Sequence, residues 1–109
     1  LPEINTEMAA QMEIVDQVLR EDAADAGSDP WNSTLAYAYD DTVFHGYLYA
    51  VPDGMGIEFD KNSYLWDAEN PIYARYVMCG HGTRVEERLL AESWQELVST
   101  EDLVIYKRS

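Results

Sequence analysis

The sequence predicts a single acidic α+β domain covering residues 1–109. Three observations favour this class. Apolar residues recur at helical spacing in two segments, short apolar or alternating runs lie between turn residues, and the length suits one hydrophobic core. We therefore expect an N-terminal amphipathic helix, an antiparallel meander of four to five short strands, a second capped helix and a closing C-terminal strand.

The first helix is predicted from Ile4 to about Ala24, with Asn5 or Thr6 able to cap its start. Gly27 stands where a left-handed residue would end the helix. The apolar stripe consists of Ile4, Met8, Met12, Val15 and Leu19, widened by Ile14 and Val18. The opposite face is almost wholly acidic, and acids in the last turn oppose the helix macrodipole. We expect that local stability does not explain Glu21, Asp22 and Asp25.

A tyrosine-rich run at Thr34–Phe59 is predicted to form the first strands, after a loop whose Trp31 folds back over the core. The first strand alternates Leu35, Tyr37 and Tyr39 with alanines. The second covers Val43–Val51, and the third, Met55–Phe59, follows a turn at Pro52–Gly54. Two further strands are expected at Tyr64–Trp66 and Ile72–Met78, with a turn at Asp60–Ser63 before them.

The second helix is predicted from a capping box in which Thr83 and Glu86 satisfy open backbone donors, and it is expected to run to about Val98. Its apolar face consists of Val85, Leu89, Leu90, Trp94, Leu97 and Val98, and its wetter side of Arg84, Glu87, Arg88 and Glu92. Leu103–Lys107 alternates and is expected to be the closing strand.

The charge balance constrains function more than any motif. The chain carries 21 acidic and 7 basic residues, a net charge of −14. Such a chain repels polyanions, which argues against direct binding to nucleic acid or an anionic membrane and favours a basic protein partner or a salty solvent. Ten of the acids, with one base, lie in the first 41 residues. This asymmetry favours an interaction surface.

Cysteine content and hydropathy indicate a cytoplasmic protein. Cys79 is the only cysteine, so no intramolecular disulfide can form. There is no apolar stretch of membrane-spanning length and no pattern of a secretion signal at the N-terminus. We expect a monomer or a homodimer.

Catalytic chemistry finds little support in the residue pattern, so we expect no enzyme activity, no cofactor and no metal. Cys79 and His81 are too close in sequence to face one another as nucleophile and base, and a turn with a buried thiol is the better interpretation. A metal site would need these two and His45 with a carboxylate, a spacing that fits no structural zinc pattern. A ligand-binding or enzymatic domain with a pocket lined by His45, Cys79 or His81 remains an alternative.

The leading hypothesis is a non-enzymatic inhibitor whose acidic surface imitates nucleic acid and blocks the cationic site of a nucleic-acid-handling protein. Carboxylates at helical spacing lie about 5–6 Å apart, close to the spacing of phosphates along a strand. The predicted partner-binding residues are Glu13, Asp16, Glu21, Asp22, Asp25, Asp29, Asp40 and Asp41, with Tyr37 and Tyr39 as aromatic anchors and Tyr47 and Tyr49 as further candidates.

In size, charge and compactness the chain resembles the small acidic inhibitors that phages and mobile elements use against host nucleases, CRISPR effectors or transcription machinery. The resemblance transfers no residue roles. Two further alternatives stay open. One is an immunity or antitoxin protein that caps a basic toxin nuclease, and the other is an α+β domain adapted to high salt, in which Lys61 and Lys107 are the only lysines.

Overall fold

The structure, a computed structural model, describes residues 6–27, 33–38 and 57–108. This part of the chain forms α1 (Thr6–Ala26), β1 (Thr34–Tyr37), β2 (Glu58–Lys61), β3 (Tyr76–Cys79), α2 (Arg84–Ala91), β4 (Gln95–Ser99) and β5 (Val104–Lys107). The α+β class is confirmed. The predicted strand Val43–Val51, the turn at Pro52–Gly54 and the loop containing Trp31 lie outside the described residues.

The five strands form one mixed sheet in the order β2-β1-β3-β5-β4. Strand β1 is parallel to both β2 and β3, whereas β3, β5 and β4 pair antiparallel. The prediction of an antiparallel meander is therefore wrong for β1, β2 and β3. Alternation shows which residues share a face of a sheet, but it does not give the direction of the neighbouring strand.

The inner strands β1, β3 and β5 are buried on both faces of the sheet. On one face α1 packs through Met12, Val15 and Leu19 against Leu35, Tyr37, Tyr76, Met78, Leu103 and Ile105. On the other face α2 and the segments beside it cover Ala36, Val77, Cys79, Val104 and Tyr106 through Leu65, Ile72, Val85, Leu89 and Trp94. Two-sided cover is typical of sheets that contain parallel strands. The two helices consequently lie on opposite sides of the sheet.

Helix α1 follows its predicted stripe closely. Met12, Val15 and Leu19 are completely buried. Gly27 has a φ of +87°, which confirms the left-handed residue expected after the helix. Ile14 differs from the prediction, because its side chain is 49% exposed and so does not widen the buried stripe.

A side-chain network ties α1 to the segment between β4 and β5. The Gln11 amide nitrogen donates to the Asp102 carboxylate at 2.9 Å, and its oxygen accepts from the Asp102 backbone N–H at 3.1 Å. The Thr100 hydroxyl donates to the same Gln11 oxygen. Because Gln11 is buried, these bonds satisfy its polar atoms and fix the position of α1 along the sheet.

At the start of α2 the threonine half of the capping box is confirmed, but Glu86 binds the backbone N–H of Gly82 and not that of the cap residue Thr83. The Thr83 hydroxyl accepts from the Glu86 N–H at 3.3 Å, and the Glu86 carboxylate accepts from the Gly82 N–H at 2.8 Å. The predicted end of the helix at Val98 is wrong, because α2 ends at Ala91 and Gln95–Ser99 forms β4. Trp94 is buried beyond the helix end.

Two hydrogen bonds account for the early end of α2. The Trp94 N–H donates to the Leu89 carbonyl at 3.0 Å, and the Ser93 N–H donates to the Leu90 carbonyl at 3.2 Å. This is the pattern of a Schellman motif, which needs a left-handed residue after the cap. Ser93 fills that position with a φ of +62°.

Two strands also differ from the prediction in their boundaries, and the strand predicted at Tyr64–Trp66 does not form. Strand β2 covers Glu58–Lys61, so the expected turn begins later, and β3 begins at Tyr76 instead of Ile72. Residues 63–66 form turns, not a strand. The Tyr64 N–H donates to the Asn62 side chain at 3.0 Å, so local side-chain chemistry outweighs the β propensity of the aromatic residues here.

Candidate partner-binding surface

The outer face of α1 carries three of the predicted partner-binding carboxylates, those of Glu13, Glu21 and Asp25. All three are exposed, and none forms a salt bridge with the described residues. Glu21 accepts one long hydrogen bond of 3.5 Å from Gln17 on the same face. We call Glu13, Glu21 and Asp25 the α1 acidic surface.

Asp16 and Asp22 lie on α1 but have partners within the chain. The Asp16 carboxylate accepts from Nε of Arg20 at 2.9 and 3.0 Å, a pair of i,i+4 neighbours on the helix. Asp22 accepts from the Tyr76 hydroxyl at 2.7 Å, from Lys107 at 2.9 Å and from Arg75 at 3.0 Å. Asp22 therefore joins α1 to β3 and β5, so a stabilising role explains it, contrary to the expectation from its position in the last turn.

Burial and hydrogen bonding have opposite effects on the pKa of Asp22. Burial raises the pKa of its carboxyl, but the hydrogen bonds from Tyr76, Lys107 and Arg75 outweigh burial and lower the pKa to about 2. Burial and the hydrogen bond to Asp22 raise the pKa of the Tyr76 hydroxyl to about 12. The carboxylate is thus charged and the hydroxyl protonated at any physiological pH.

The predicted aromatic anchor Tyr37 lies inside the core. It is 7% exposed and contacts Phe59 edge-on, with ring centroids 6.4 Å apart, on the side of the sheet that α1 covers. Tyr37 therefore packs beneath α1 as part of the core. Asp29, Tyr39, Asp40 and Asp41, together with Tyr47 and Tyr49, lie outside the described residues, and their predicted role stays a prediction.

Most of the basic side chains are engaged within the described structure. Arg20, Arg75, Arg88 and Lys107 form salt bridges, and Arg84 and Arg108 lie over the rings of Trp66 and Trp94. Arg75 and Lys107 share a single carboxylate, that of Asp22. Because two of the seven basic residues bind the same carboxylate, more of the other carboxylates lack a compensating positive charge.

Acidic residues are not confined to α1. Exposed carboxylates also stand on β2, α2, β4 and the neighbouring turns, at Glu58, Asp60, Glu69, Glu87, Glu92, Glu96 and Glu101. The excess negative charge therefore covers several sides of the described structure. What distinguishes α1 is that Glu13, Glu21 and Asp25 share the outer face of one long helix.

The predicted turn at Cys79 and His81 does not bring a thiol and an imidazole together for catalysis. Cys79 is 1% exposed in the core beneath α2, as expected for a buried thiol. His81 is exposed, and its Nε2 lies 2.8 Å from the Thr100 carbonyl oxygen. Within the described residues no group of three His, Cys, Asp or Glu side chains could hold a metal ion. His45 lies outside them.

An open groove beside α2 is a feature that the sequence did not reveal. Its volume is about 350 Å³, and it is lined by Trp66, Ala68, Arg84, Glu87, Arg88, Ala91 and Glu92. We call it the Trp66 groove. The Arg84 guanidinium lies 4.4 Å from the centre of the Trp66 ring. The i,i+3 and i,i+4 spacing of the helical residues indicates a shared face, but nothing in the sequence indicates that Trp66 meets it.

Arg88 forms the base of the Trp66 groove and is 8% exposed, although the helix pattern predicts it on the wetter side. Its guanidinium donates to the Leu65 carbonyl at 3.0 Å, to the Asn70 carbonyl at 2.6 Å and to Glu92 at 2.7 Å. A planar group with several fixed donors suits this arrangement. Arg88 therefore holds the turn segment that carries Trp66 against α2.

Neither helix in the described part of the chain has the length and hydropathy that crossing a membrane requires. Compared with protein-family models, with curated proteins and with solved structures, the chain gives no match.

Proposed function

We propose that this chain is a non-enzymatic inhibitor that places the outer face of α1 in a cationic site on a nucleic-acid-binding protein. One observation carries the proposal. Glu13, Glu21 and Asp25 project from a single helix face, without a salt bridge to the described residues. A cluster of uncompensated carboxylates complements a site built for phosphates.

The α1 acidic surface is as long as a short stretch of one nucleic-acid strand. With a rise of about 1.5 Å per residue, Glu13 and Asp25 are separated by about 18 Å along the helix axis. On one strand of duplex DNA this length corresponds to about five phosphates. The Gln11 and Asp22 networks and the buried stripe hold the helix in place before binding, which lowers the entropic cost of association.

The biological setting proposed is that of the anti-defence inhibitors of phages and mobile elements, of which anti-CRISPR proteins are one kind. A basic toxin nuclease presents the same type of site to an immunity or antitoxin protein, so the physical interaction is common to both targets. Asp29, Asp40 and Asp41 are proposed for the same surface on the basis of the sequence alone.

The test compares two variants with the same change in net charge. The first replaces the α1 acidic surface by Glu13→Gln, Glu21→Gln and Asp25→Asn, and the second replaces three exposed acids elsewhere by Glu58→Gln, Asp60→Asn and Glu101→Gln. Wild-type protein immobilised on beads captures proteins from the source cell at low salt. The captured protein is purified, and its affinity for all three chains is measured with rising salt and with duplex DNA as competitor.

We expect the first variant to lose at least about tenfold in affinity, because close charge pairs at an interface contribute more than about 1.4 kcal/mol together. The second variant should bind nearly as wild type, since distant charges act mainly on the association rate. Added DNA should displace the wild-type chain. Equal losses in the two variants, or capture indifferent to salt and DNA, would reject the proposal.

Adaptation to high salt is a second candidate, favoured by the spread of exposed carboxylates over β2, α2, β4 and the turns. Under this hypothesis the acids serve hydration and solubility, not recognition. Circular dichroism distinguishes the two. A chain adapted to salt unfolds in dilute buffer and refolds in molar salt, whereas the proposed inhibitor is folded in both.

A further inference from the structure

We propose that the Trp66 groove is a binding site for an arginine side chain of a basic protein, separate from the α1 acidic surface. The groove lies between α2 and the turn segment around Trp66, on the side of the sheet opposite α1. A flat partner cannot contact both surfaces at once. The two surfaces are therefore independent, and the groove site does not rest on the function proposed for α1.

The aromatic wall of the groove already holds a guanidinium. Arg84 lies over the Trp66 ring at 4.4 Å, within the distance at which a cation is attracted to an aromatic face, and tryptophan is the strongest such partner. Arg84 is exposed and forms no salt bridge within the described residues. We interpret it as an internal occupant that an arginine from a partner can displace.

The remaining walls match the rest of an arginine side chain. Ala68 and Ala91 give apolar contacts for the methylene stem. Glu87 is exposed on the wall formed by α2, and its carboxylate makes no salt bridge with the described part of the chain. Glu87 therefore gives the groove a carboxylate that Arg84, in its position over Trp66, leaves without a salt bridge.

The charged residues of the groove lining balance, with two arginines and two glutamates. Arg88 is neutralised by Glu92 at 2.7 Å, and its other donors point to the carbonyls of Leu65 and Asn70, so it is turned toward the protein. An arginine that displaces Arg84 from the Trp66 ring meets the Glu87 carboxylate, while the charge of Arg84 stays nearby on α2. The net charge of −14 adds a long-range attraction for basic partners.

The probe is the peptide acetyl-Gly-Arg-Gly-amide, titrated into isotopically labelled protein at an ionic strength of about 0.15 M, where long-range attraction is screened. The same peptide with citrulline, a neutral analogue of arginine, or with glutamate serves as a control. The indole N–H signal of Trp66, assigned with Trp66→Phe, reports binding at the groove. We expect the arginine peptide to shift this signal and the α2 amides saturably, and the other two peptides to leave them unchanged.

Two variants determine which charge the groove accepts. Arg84→Gln should raise the affinity for the arginine peptide about two- to fivefold, because it removes the competing occupant of the Trp66 face. Glu87→Gln should weaken binding. Glu101→Gln, with the same loss of charge outside the groove, should bind as wild type.

Several results would overturn the proposal. Weaker or unchanged binding in Arg84→Gln would show that Arg84 is not a competitor. Equal shifts with citrulline, or preference for the glutamate peptide, would show that the groove does not select a cation. The variant lacking the α1 acidic surface should retain peptide binding, so failure at one surface is distinguishable from failure at the other.

Discussion

Asp22 illustrates how a single carboxylate can hold three elements together. It joins α1 to β3 and β5 through a hydroxyl and two cations, and its side chain is only 12% exposed. Removing one member of such a group leaves the others partly buried and unpaired, which costs more than the intact group contributes. The consequence is measurable in both stability and pH dependence.

We predict that Asp22→Asn lowers the free energy of unfolding at pH 7 by about 2 kcal/mol, the amount that corresponds to the lowered pKa of Asp22. Because the folded-state pKa is about 2 and lies below the ordinary value of 3.8, this stability is complete above about pH 4 and is lost as the pH falls toward 2. Urea unfolding of the wild type and of Asp22→Asn across pH 2–7 measures this difference in the free energy of unfolding.

The matched control is Asp25→Asn, which removes the same charge from the same helix at an exposed position. It should not destabilise the protein, because removing an acid from the last turn of a helix raises stability slightly, by no more than about 1 kcal/mol. If Asp22→Asn is no more destabilising than this control, or if its effect persists undiminished at pH 2, the Asp22 network does not have the energetic role assigned to it.

A second prediction concerns Arg88, whose fork of donors holds the turn segment at Leu65 and Asn70. Arg88→Lys keeps the charge but cannot reach both carbonyls and Glu92 together. We expect a loss of about 2 kcal/mol in the free energy of unfolding, since buried carbonyls lose their donors. Amide hydrogen exchange over residues 62–70 should accelerate along with it.

Arg20→Lys serves as the comparison, because Arg20 pairs with Asp16 on an exposed helix face. Such pairs contribute about 0–1 kcal/mol, so little change is expected in stability or exchange. Similar losses in the two variants would mean that the geometry of the Arg88 fork is unimportant.

At the residue scale the sequence predicts burial better than it predicts pairing. The i,i+3 and i,i+4 spacing of apolar side chains identified Met12, Val15 and Leu19 as core residues. It could not identify Asp22 or Arg88 as internal ones, because both occupy flanks of their helices and all of their partners except Glu92 lie more than fifteen residues away in sequence. A polar residue at the edge of a helix's apolar stripe is buried or exposed depending on its tertiary partners, and the spacing of apolar residues in the sequence does not identify those partners.

At the scale of elements, the end of α2 shows why boundaries are harder to predict than centres. A glycine after the helix would have indicated a left-handed cap, as Gly27 does after α1. Ser93 occupies that position instead, so the helical spacing of Trp94, Leu97 and Val98 suggested continuation. In the structure Leu97 and Val98 belong to β4, where they pack against the core under α1.

We predict that Ser93→Gly stabilises the protein by about 1 kcal/mol. A residue with a side chain at a φ of +62° is strained, and glycine relieves that strain while keeping the Schellman hydrogen bonds. The thermal midpoint should rise by a few degrees, about 4–8 °C per kcal/mol in a domain of this size. Differential scanning calorimetry provides the measurement.

The reciprocal substitution is Gly27→Ser at the corresponding position after α1. No atom lies within 4 Å of a Cβ added at Gly27, so any effect comes from the backbone. It should destabilise by a similar amount. This explanation requires the two substitutions to change the free energy of unfolding in opposite directions. Changes in the same direction would contradict it.

At the scale of the whole molecule, net charge has a cost in stability that the α1 acidic surface increases. Asp25 lies in the last turn of α1, where the helix dipole disfavours negative charge by about 0.3–1 kcal/mol at low ionic strength, and Glu21 lies about one turn earlier, where the effect is weaker. In contrast to Asp22, these two have no salt bridge in the described structure that offsets the cost. Acids that cost stability and face outward are the ones that a binding function would explain.

We therefore predict that the triple variant Glu13→Gln, Glu21→Gln and Asp25→Asn is more stable than wild type in dilute buffer by about 1 kcal/mol, although it loses partner binding. The control triple variant Glu58→Gln, Asp60→Asn and Glu101→Gln should gain less, because those residues are in a strand and a turn segment and not near a helix C-terminus. Both gains should disappear near 1 M salt, where the screening length falls to about 3 Å. Equal gains would mean that stability senses only the total charge, and the spread-out acids of salt adaptation would then explain the composition better than a recognition surface on α1.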